Sequence, residues 1–400
     1  MSTLTQNHRS GCRRPEVAAR IRSHYGALGG WPGPDKLPLV YNSIYNIGFM
    51  GLENLHPFDS KKYSKASTRG EPWCWRGAEI PLSVVTAEGD GYQVLSLLEA
   101  SGCLASSQVV QAREATHDML LDVHDAAYLE AINTSSAKVT ELGPLALLPA
   151  ALLRSKVLKP MRFMAGGTML AAALAQERGW AINLGGGLHH AYHADGGGWC
   201  VYDDIYLAIR KLRQAAGGLV KTCMVIDLDV HQGNGYERDK LHFGDQDTYL
   251  VDVYNGWIYP RDETAKKAIN VRVELLGGAG DETYLAAVRQ ALEQAFRECP
   301  RPDLVIYNAG TDILAGDPLG SLSVSAAGVL QRDELVWRAA LAAGSPLVML
   351  LSGGYTAAST PCIASSMTNL FQKLGLGGTG AGQREAAVGQ VPATAAASEL

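Results

Sequence analysis

No stretch of this 400-residue chain approaches the roughly 18 consecutive apolar residues that a membrane-spanning helix needs, so no membrane span is expected. The N-terminus also lacks the apolar core of a secretory signal. The seven cysteines, Cys12, Cys74, Cys103, Cys200, Cys223, Cys299 and Cys362, contain no CxxC pair. An odd, scattered set of this kind excludes a disulfide framework and reads as reduced thiols in an intracellular protein. Positive charge is not in surplus either: the net charge is -5 and the isoelectric point is near 6.1. That balance excludes dependence on a broad basic surface, so direct nucleic-acid reading is not expected beyond a small contact patch. Internal repeats are absent.

What is present is length enough for one large α/β domain or two ordinary ones. The ends differ from the middle. Residues 1–37 read as a flexible basic extension, because Arg9, Arg13, Arg14, Arg20 and Arg22 are opposed by Glu16 alone over residues 1–34. The bias is compatible with an organellar transit peptide, although a solvated tail is the plainer reading. Residues 66–92 lack a helical or strand period and read as an inserted loop, and the Gly/Ala-rich residues 375–400 as a disordered tail. Between 180 and 355 an apolar run, a Gly-rich turn bearing polar residues and an amphipathic helix recur. The runs are WAINLGGGLHH (180–190), CMVIDLDVHQGNG (223–235), DLVIYNAGTD (303–312) and PLVMLLSGGY (346–355). Helices are expected over 203–216, 281–298 and 329–343. Such alternation implies a single α/β domain over 38–374, with an open, mostly parallel sheet and helices on both faces. Ligands bind such sheets at the carboxyl ends of the strands, and all four runs place polar residues there.

The second run is the most pointed. Asp227, Asp229 and His231 are spaced by two, and in an extended chain that spacing puts all three on one face. Carboxylates crowded that way repel unless a cation, a proton or a network accommodates them. Asp229, His231 and Asp312 are therefore candidate metal ligands, and His189, His190 and Tyr355 candidate acid–base or electrophilic groups. Three protein ligands leave a zinc position open for water, which is the catalytic arrangement. Two carboxylates cancel the ion's charge, so the bound water is less acidified and a nearby base is needed the more. Singly, each residue has a plainer reading: Asp229 or Asp312 as a helix cap, the His pair as a polar turn, Tyr355 as a packed turn aromatic. Glycines 185–187 let backbone approach a substrate, since no Lys-Ser/Thr follows as in a phosphate-binding loop. Convergence at four successive strand ends is what argues for a site.

The segments AINLGGGLHH (181–190), IDLDVHQGNG (226–235), LVIYNAGTDILAGDPLGSLSVS (304–325) and LSGGY (351–355) resemble the zinc-dependent histone deacetylase family, above all its class IV branch. YNSIYNIGFMGLENLHPFDSKKY (41–63), KVLKP (156–160), DVYNGWIYPRD (252–262) and RDELVWR (332–338) agree, so the resemblance covers most of residues 38–372. It implies the arginase/deacetylase-like form of the α/β fold. Asp229, His231 and Asp312 match the ligands of one Zn²⁺. His189 and His190 match the tandem active-site histidines, His190 acting as general base and then general acid, and Tyr355 matches the donor to the substrate carbonyl. Asp227 matches the acid that orients His189, and with Asp229, His231 and Asp252 it matches an inner monovalent-cation site suited to K⁺. Asn234 stands where class I members have aspartate; without that charge His190 stays neutral more easily and so serves as a base. Gly187, Leu188, Trp199, Tyr259, Leu319, Gly353 and Gly354 match the acyl channel, with Leu188 smaller than the aromatic common there.

The implied chemistry is metal-assisted hydrolysis of the lysine side-chain amide, with a metal-bound water, a His base and a Tyr oxyanion donor. Class IV members remove long fatty acyl groups as well as acetyl. The implied partners are acylated-lysine proteins or peptides such as histones, and chromatin-associated complexes. The implied compartment is nucleus or cytoplasm, with an organelle suggested by the arginine bias. Residues 66–92 have no counterpart in the family pattern. A second reading is hydrolysis of an acetylpolyamine or other small amide, which an acidic rim would favour. A non-catalytic scaffold is disfavoured because every expected ligand and acid–base residue is present. An arginase-like pair of manganese ions needs D-x-H-x-D, but Gly233 holds the third position and no aspartate follows Asp312 by two.

Overall fold

The computed structural model describes residues 14–27, 31–46, 90–134 and 149–376. Most of the inserted loop at 66–92 and of the tail at 375–400 lies outside these residues; 90–92 open a helix, and Gly375 ends one.

Eight strands form one sheet among the described residues: β1 (Leu39–Tyr41), β2 (Val110–Gln111), β3 (Trp180–Asn183), β4 (Cys223–Asp227), β5 (Thr248–Asn255), β6 (Val271–Leu275), β7 (Leu304–Asn308) and β8 (Leu347–Leu350). Their order is β2-β1-β3-β8-β7-β4-β5-β6, and every pairing is parallel. Every residue of β4 and β7 is buried. Because successive side chains of a strand point to opposite faces, the sheet is covered on both sides.

The helices are α1 (Pro15–Ala27), α2 (Asp90–Ala100), α3 (His117–Leu120), α4 (Ala126–Thr134), α5 (Ala150–Leu153), α6 (Lys159–Arg178), α7 (Asp204–Ala215), α8 (Asn234–His242), α9 (Asp281–Glu298), α10 (Ala326–Ala343) and α11 (Ser359–Leu374). One group, α1, α6 and α7, packs together, and α2, α9, α10 and α11 form a second. The three expected helices are present. α10 starts three residues before the expected 329, because the Ser325 hydroxyl accepts from Gly328 N–H and caps it.

The N-terminal extension is a correction. Residues 15–27 are not a flexible tail but helix α1, docked on α6 and α7. Val17, Ile21 and Tyr25, four apart, are buried in the main core; that spacing lines one helical face. Two of the arginines are committed to pairs, Arg14 with Asp303 at 2.7 Å and Arg22 with Glu177 at 2.6 Å. The five described cysteines are free and buried.

Register then positions the site. Asn183 pairs with Leu350, Leu350 with Asn308, Asn308 with Asp227, and Asp227 with Asp252. One row therefore crosses five strands, ending four of them and passing through β5 at Asp252, and four polar loops leave it on the same side.

Candidate active site

β4 stops at Asp227, so Asp229 and His231 do not continue an extended strand as their spacing suggests. They sit on bends. Asp227 Oδ1 accepts from Asp229 N–H at 3.1 Å, and Asp229 Oδ1 from His231 N–H at 3.0 Å. Each carboxylate closes a local turn on the amide two residues ahead, and the crowding is real all the same. His231 Nδ1 lies 3.1 Å from Asp229 Oδ1 and 3.1 Å from Asp312 Oδ2. One possible ligand atom from each residue falls within 4.8 Å of the others, and all three are buried. Neither aspartate caps a helix: the N-cap of α8 is Gly233, with no side-chain bond, and Asp312 Oδ1 accepts from Val230 N–H at 2.9 Å. Burial disfavours charge on His231, but Asp229 and Asp312 outweigh it and raise its pKa to about 10. Burial and the charge of Asp229 push Asp312 up to about 7. The group calls for positive charge among its oxygens.

The tandem histidines have rings 4.1 Å apart and different partners. His189 Nδ1 is 3.0 Å from Asp227 Oδ2, while Asp227 Oδ1 accepts from Asn308 Nδ2 at 3.0 Å. Burial lowers the His189 pKa, but Asp227 and Asp229 overcome it and bring it to about 9. His190 Nδ1 is 2.8 Å from Asn234 Oδ1. The Asn234 amide is oriented by Asp262, which accepts from Nδ2 at 3.5 Å and is paired with Arg238 at 2.5 Å. An amide oxygen only accepts, so Nδ1 of His190 carries its proton and Nε2 keeps a lone pair. Burial, then His189 and His231, hold the His190 pKa well below its usual value.

The loop that presents them is tightly held. Gly186 and Gly187 take φ of +76° and +78°, open to glycine without steric cost. Asp204, at the start of α7, accepts from Gly187 N–H at 3.0 Å and Leu188 N–H at 2.7 Å. Tyr355 is half-buried, and its backbone N–H donates to Asp317 at 2.7 Å. Its ring stands edge-on to His231 with centroids 6.4 Å apart. Burial, then Asp312 and Asp229, raise its hydroxyl pKa well above the usual range, so it remains an O–H donor.

Gly187, Leu188, His189, His190, Trp199, Gly353, Gly354 and Tyr355 line one cavity, which continues past them to Tyr45, Met161, Met164, Leu184 and Ile363. Tyr259 and Leu319 do not line it. Tyr259 is 47% exposed with its ring 5.0 Å from that of His190, so it borders the mouth. Leu319 is half-buried, its N–H bonded to Asp317 at 2.9 Å. Asp252 is buried beside Asp227 and Glu237, and its Oδ2 accepts from Gly233 N–H at 3.0 Å. Burial, then Asp227 and Glu237, raise its pKa strongly. Asp252 Oδ1 and Glu237 Oε1 have no hydrogen-bond donor among the described residues.

Sequence reasoning passed over several supporting residues: Asp204, Asn308, Asp317, Ser352 and the buried pair Arg332–Asp333. The last left a signal, since both charges fall on the apolar stripe of α10 beside Val329, Val336 and Trp337.

Residues 89–371 match the histone deacetylase domain. Histone deacetylase 2 of Arabidopsis thaliana is 43% identical over 345 residues, 84% of this chain and 79% of the relative. A histone deacetylase-like amidohydrolase of Pseudomonas aeruginosa is 29% identical over 278 residues, 66% of this chain and 71% of its own. Among solved structures, the HDA15 HD domain is similar with a TM-score of 0.59 and 20% identity, over 84% of this chain and 88% of that one. An HDAC homolog complexed with SAHA gives 0.60 and 20%, over 85% and 84%. At such identity these two likenesses concern the fold.

Proposed function

The chain belongs to the histone deacetylase family, and from that premise we propose that it is a zinc-dependent amide hydrolase of the class IV branch, acting on acylated lysine side chains of proteins or peptides, histones among them. The observation that carries the reading is the convergence of Asp229, His231 and Asp312 beside two histidines of opposite tuning. Two carboxylates and one imidazole, buried and closely grouped, suit a divalent ion of zinc's kind. When bound there, zinc supplies polarisation of the acyl carbonyl and an acidified water.

The rest belongs to the chain. His190, neutral and with Nε2 unprotonated, takes the proton of the attacking water and then hands it to the departing lysine amine. The Tyr355 hydroxyl donates to the carbonyl oxygen as negative charge grows on it. Asp227 orients His189, and Asn234 orients His190 without charging it. The apolar depth of the cavity, at Met161, Met164 and Ile363, supports a long-chain acyl group as well as acetyl. K⁺ is proposed for the Asp227–Asp252 end, where the facing carboxylates of Asp252 and Glu237 need either a shared proton or a cation.

The described rim does not favour a polyamine. Beside Tyr259, Asp262 is paired with Arg238, and Glu263 with Lys266 at 2.6 Å. Chromatin-associated complexes and a nuclear or cytoplasmic setting follow by family habit. The docking of α1 argues against residues 15–27 serving as a cleavable organellar leader. No helix among the described residues is long and apolar enough to cross a membrane.

Zinc content and turnover of acetyl-lysine peptide, myristoyl-lysine peptide and acetylspermidine test the reading together. We expect one zinc per chain, and a loss in kcat of about 100-fold or more in His190→Ala and Tyr355→Phe. No zinc, with both variants as active as the parent, sinks the hydrolase reading. Preference for acetylspermidine over both peptides replaces the lysine substrate with a polyamine.

A further inference from the structure

Four described non-glycine residues hold a positive φ: Trp199, Arg261, Ser321 and Ser352. Ser352, at +48°, is the first residue of the S-G-G-Y turn after β8. A left-handed backbone is disfavoured for serine by its Cβ and free for glycine. Strain of this kind persists where the surroundings impose it, and it gathers at functional positions.

Ser352 Oγ lies 2.9 Å from Asp229 Oδ2 and 3.3 Å from Gly187 O. The hydroxyl has one proton for two acceptors, and the shorter contact to the charged oxygen wins. Gly353 N–H donates to the same Oδ2 at 2.9 Å. The other oxygen of Asp229 faces His231. The carboxylate is thus held from behind by two donors while its second oxygen points into the Asp–His–Asp group. Asp312 follows the same plan, with Oδ1 bonded to Val230 N–H and Oδ2 beside His231. The difference is that Asp312 relies on backbone alone, whereas Asp229 depends in part on a side chain seated in an unfavourable conformation. Glycine at 352 would relax the turn and forfeit the hydroxyl.

We propose that Ser352 is a positioning residue for the metal site: its hydroxyl pins the outer oxygen of Asp229 so that the inner one is presented beside His231 and Asp312, and the left-handed backbone is retained for that bond. The proposal rests on the reading of this group as a zinc site. Partners that orient a metal ligand typically contribute tenfold to a hundredfold in metal affinity.

The test compares full-length wild type, Ser352→Ala and Ser352→Gly. Zinc affinity is measured by competition with a chelating indicator, thermal unfolding on the metal-stripped proteins, and kcat and KM on an acyl-lysine peptide. Both variants are expected to bind zinc roughly tenfold to a hundredfold more weakly, with kcat reduced and KM little changed. Metal-stripped Ser352→Gly is expected to melt at or above wild type, because the strain is gone. Higher intrinsic stability together with weaker zinc binding is not what a packing defect produces. Unchanged zinc affinity in both variants overturns the proposal whatever the activity does. Loss confined to Ser352→Ala overturns it too, since the backbone and not the hydroxyl would then be responsible. A wild type that takes up no zinc fails at the first measurement, and that failure is of the zinc reading itself.

Discussion

His189 and His190 are neighbours with rings 4.1 Å apart, yet their Nδ1 atoms meet a carboxylate in one case and an amide oxygen in the other. The partner decides the division of labour. His189 is drawn up to about 9 by Asp227 and Asp229 against its burial, whereas His190 has no carboxylate at Nδ1 and is held down by burial and by the neighbouring imidazoles. Asn234→Asp tests this directly. A carboxylate at that point favours the charged imidazole and raises the His190 pKa. A base works only when neutral, so the acid limb of kcat/KM against pH moves to higher pH in the variant, while wild type stays active below the usual histidine range. Identical acid limbs would falsify the assignment of His190 as the base. The sequence made the choice of Asn234 legible by position. It did not reveal that Asp262, 28 residues on, fixes which way the amide faces.

At the scale of elements, the period of α10 was readable and its purpose was not. Arg332 and Asp333 are fully buried on a stripe that otherwise reads as apolar. Arg332 donates to Leu228 O at 3.3 Å, Ala309 O at 3.3 Å and Gly310 O at 2.5 Å, and it pairs with Asp333 at 2.8 Å. Those carbonyls belong to the loops that carry Asp229 and Asp312. Asp333 in turn accepts from the hydroxyls of Tyr307 and Ser366. The helix thus ties the ends of β4 and β7 together from behind. Its partners lie 104 and 22 positions away in sequence, too far for any local pattern to expose. Arg332→Met leaves Asp333 buried without its cation and takes one donor from each of three carbonyls, of which Leu228 O keeps the Tyr284 hydroxyl, so a loss of about 3–5 kcal/mol is expected. The measurement is a denaturant titration in which the midpoint falls and the slope holds. A loss under about 1 kcal/mol, the range of an exposed ion pair, would contradict the clamp.

For the molecule as a whole, the four strand ends between 180 and 355 were legible because parallel strands buried on both faces leave long apolar runs in the sequence. The short strands β1 and β2, of three and two residues, leave no such trace. The N-terminal boundary was misread for a different reason. Composition averages over all faces of a helix, so the arginines of residues 9–22 hid the period of Val17, Ile21 and Tyr25 beneath them. Periodicity would have separated the two, since charge on the outer face and apolar residues four apart on the inner one describe an amphipathic helix. The domain therefore includes α1, which covers α6 and α7, and α6 in turn backs β3 and the loop that carries the two histidines. Ile21 is fully buried and does not line the cavity that holds the acid–base groups. Ile21→Ala should cost about 2–5 kcal/mol of unfolding free energy, as core truncations do. Turnover per folded molecule should be unchanged below the new melting transition, because no group of the site is moved. A cost within about 0.5 kcal/mol, typical of an exposed position, would return residues 15–27 to the status of a dispensable extension.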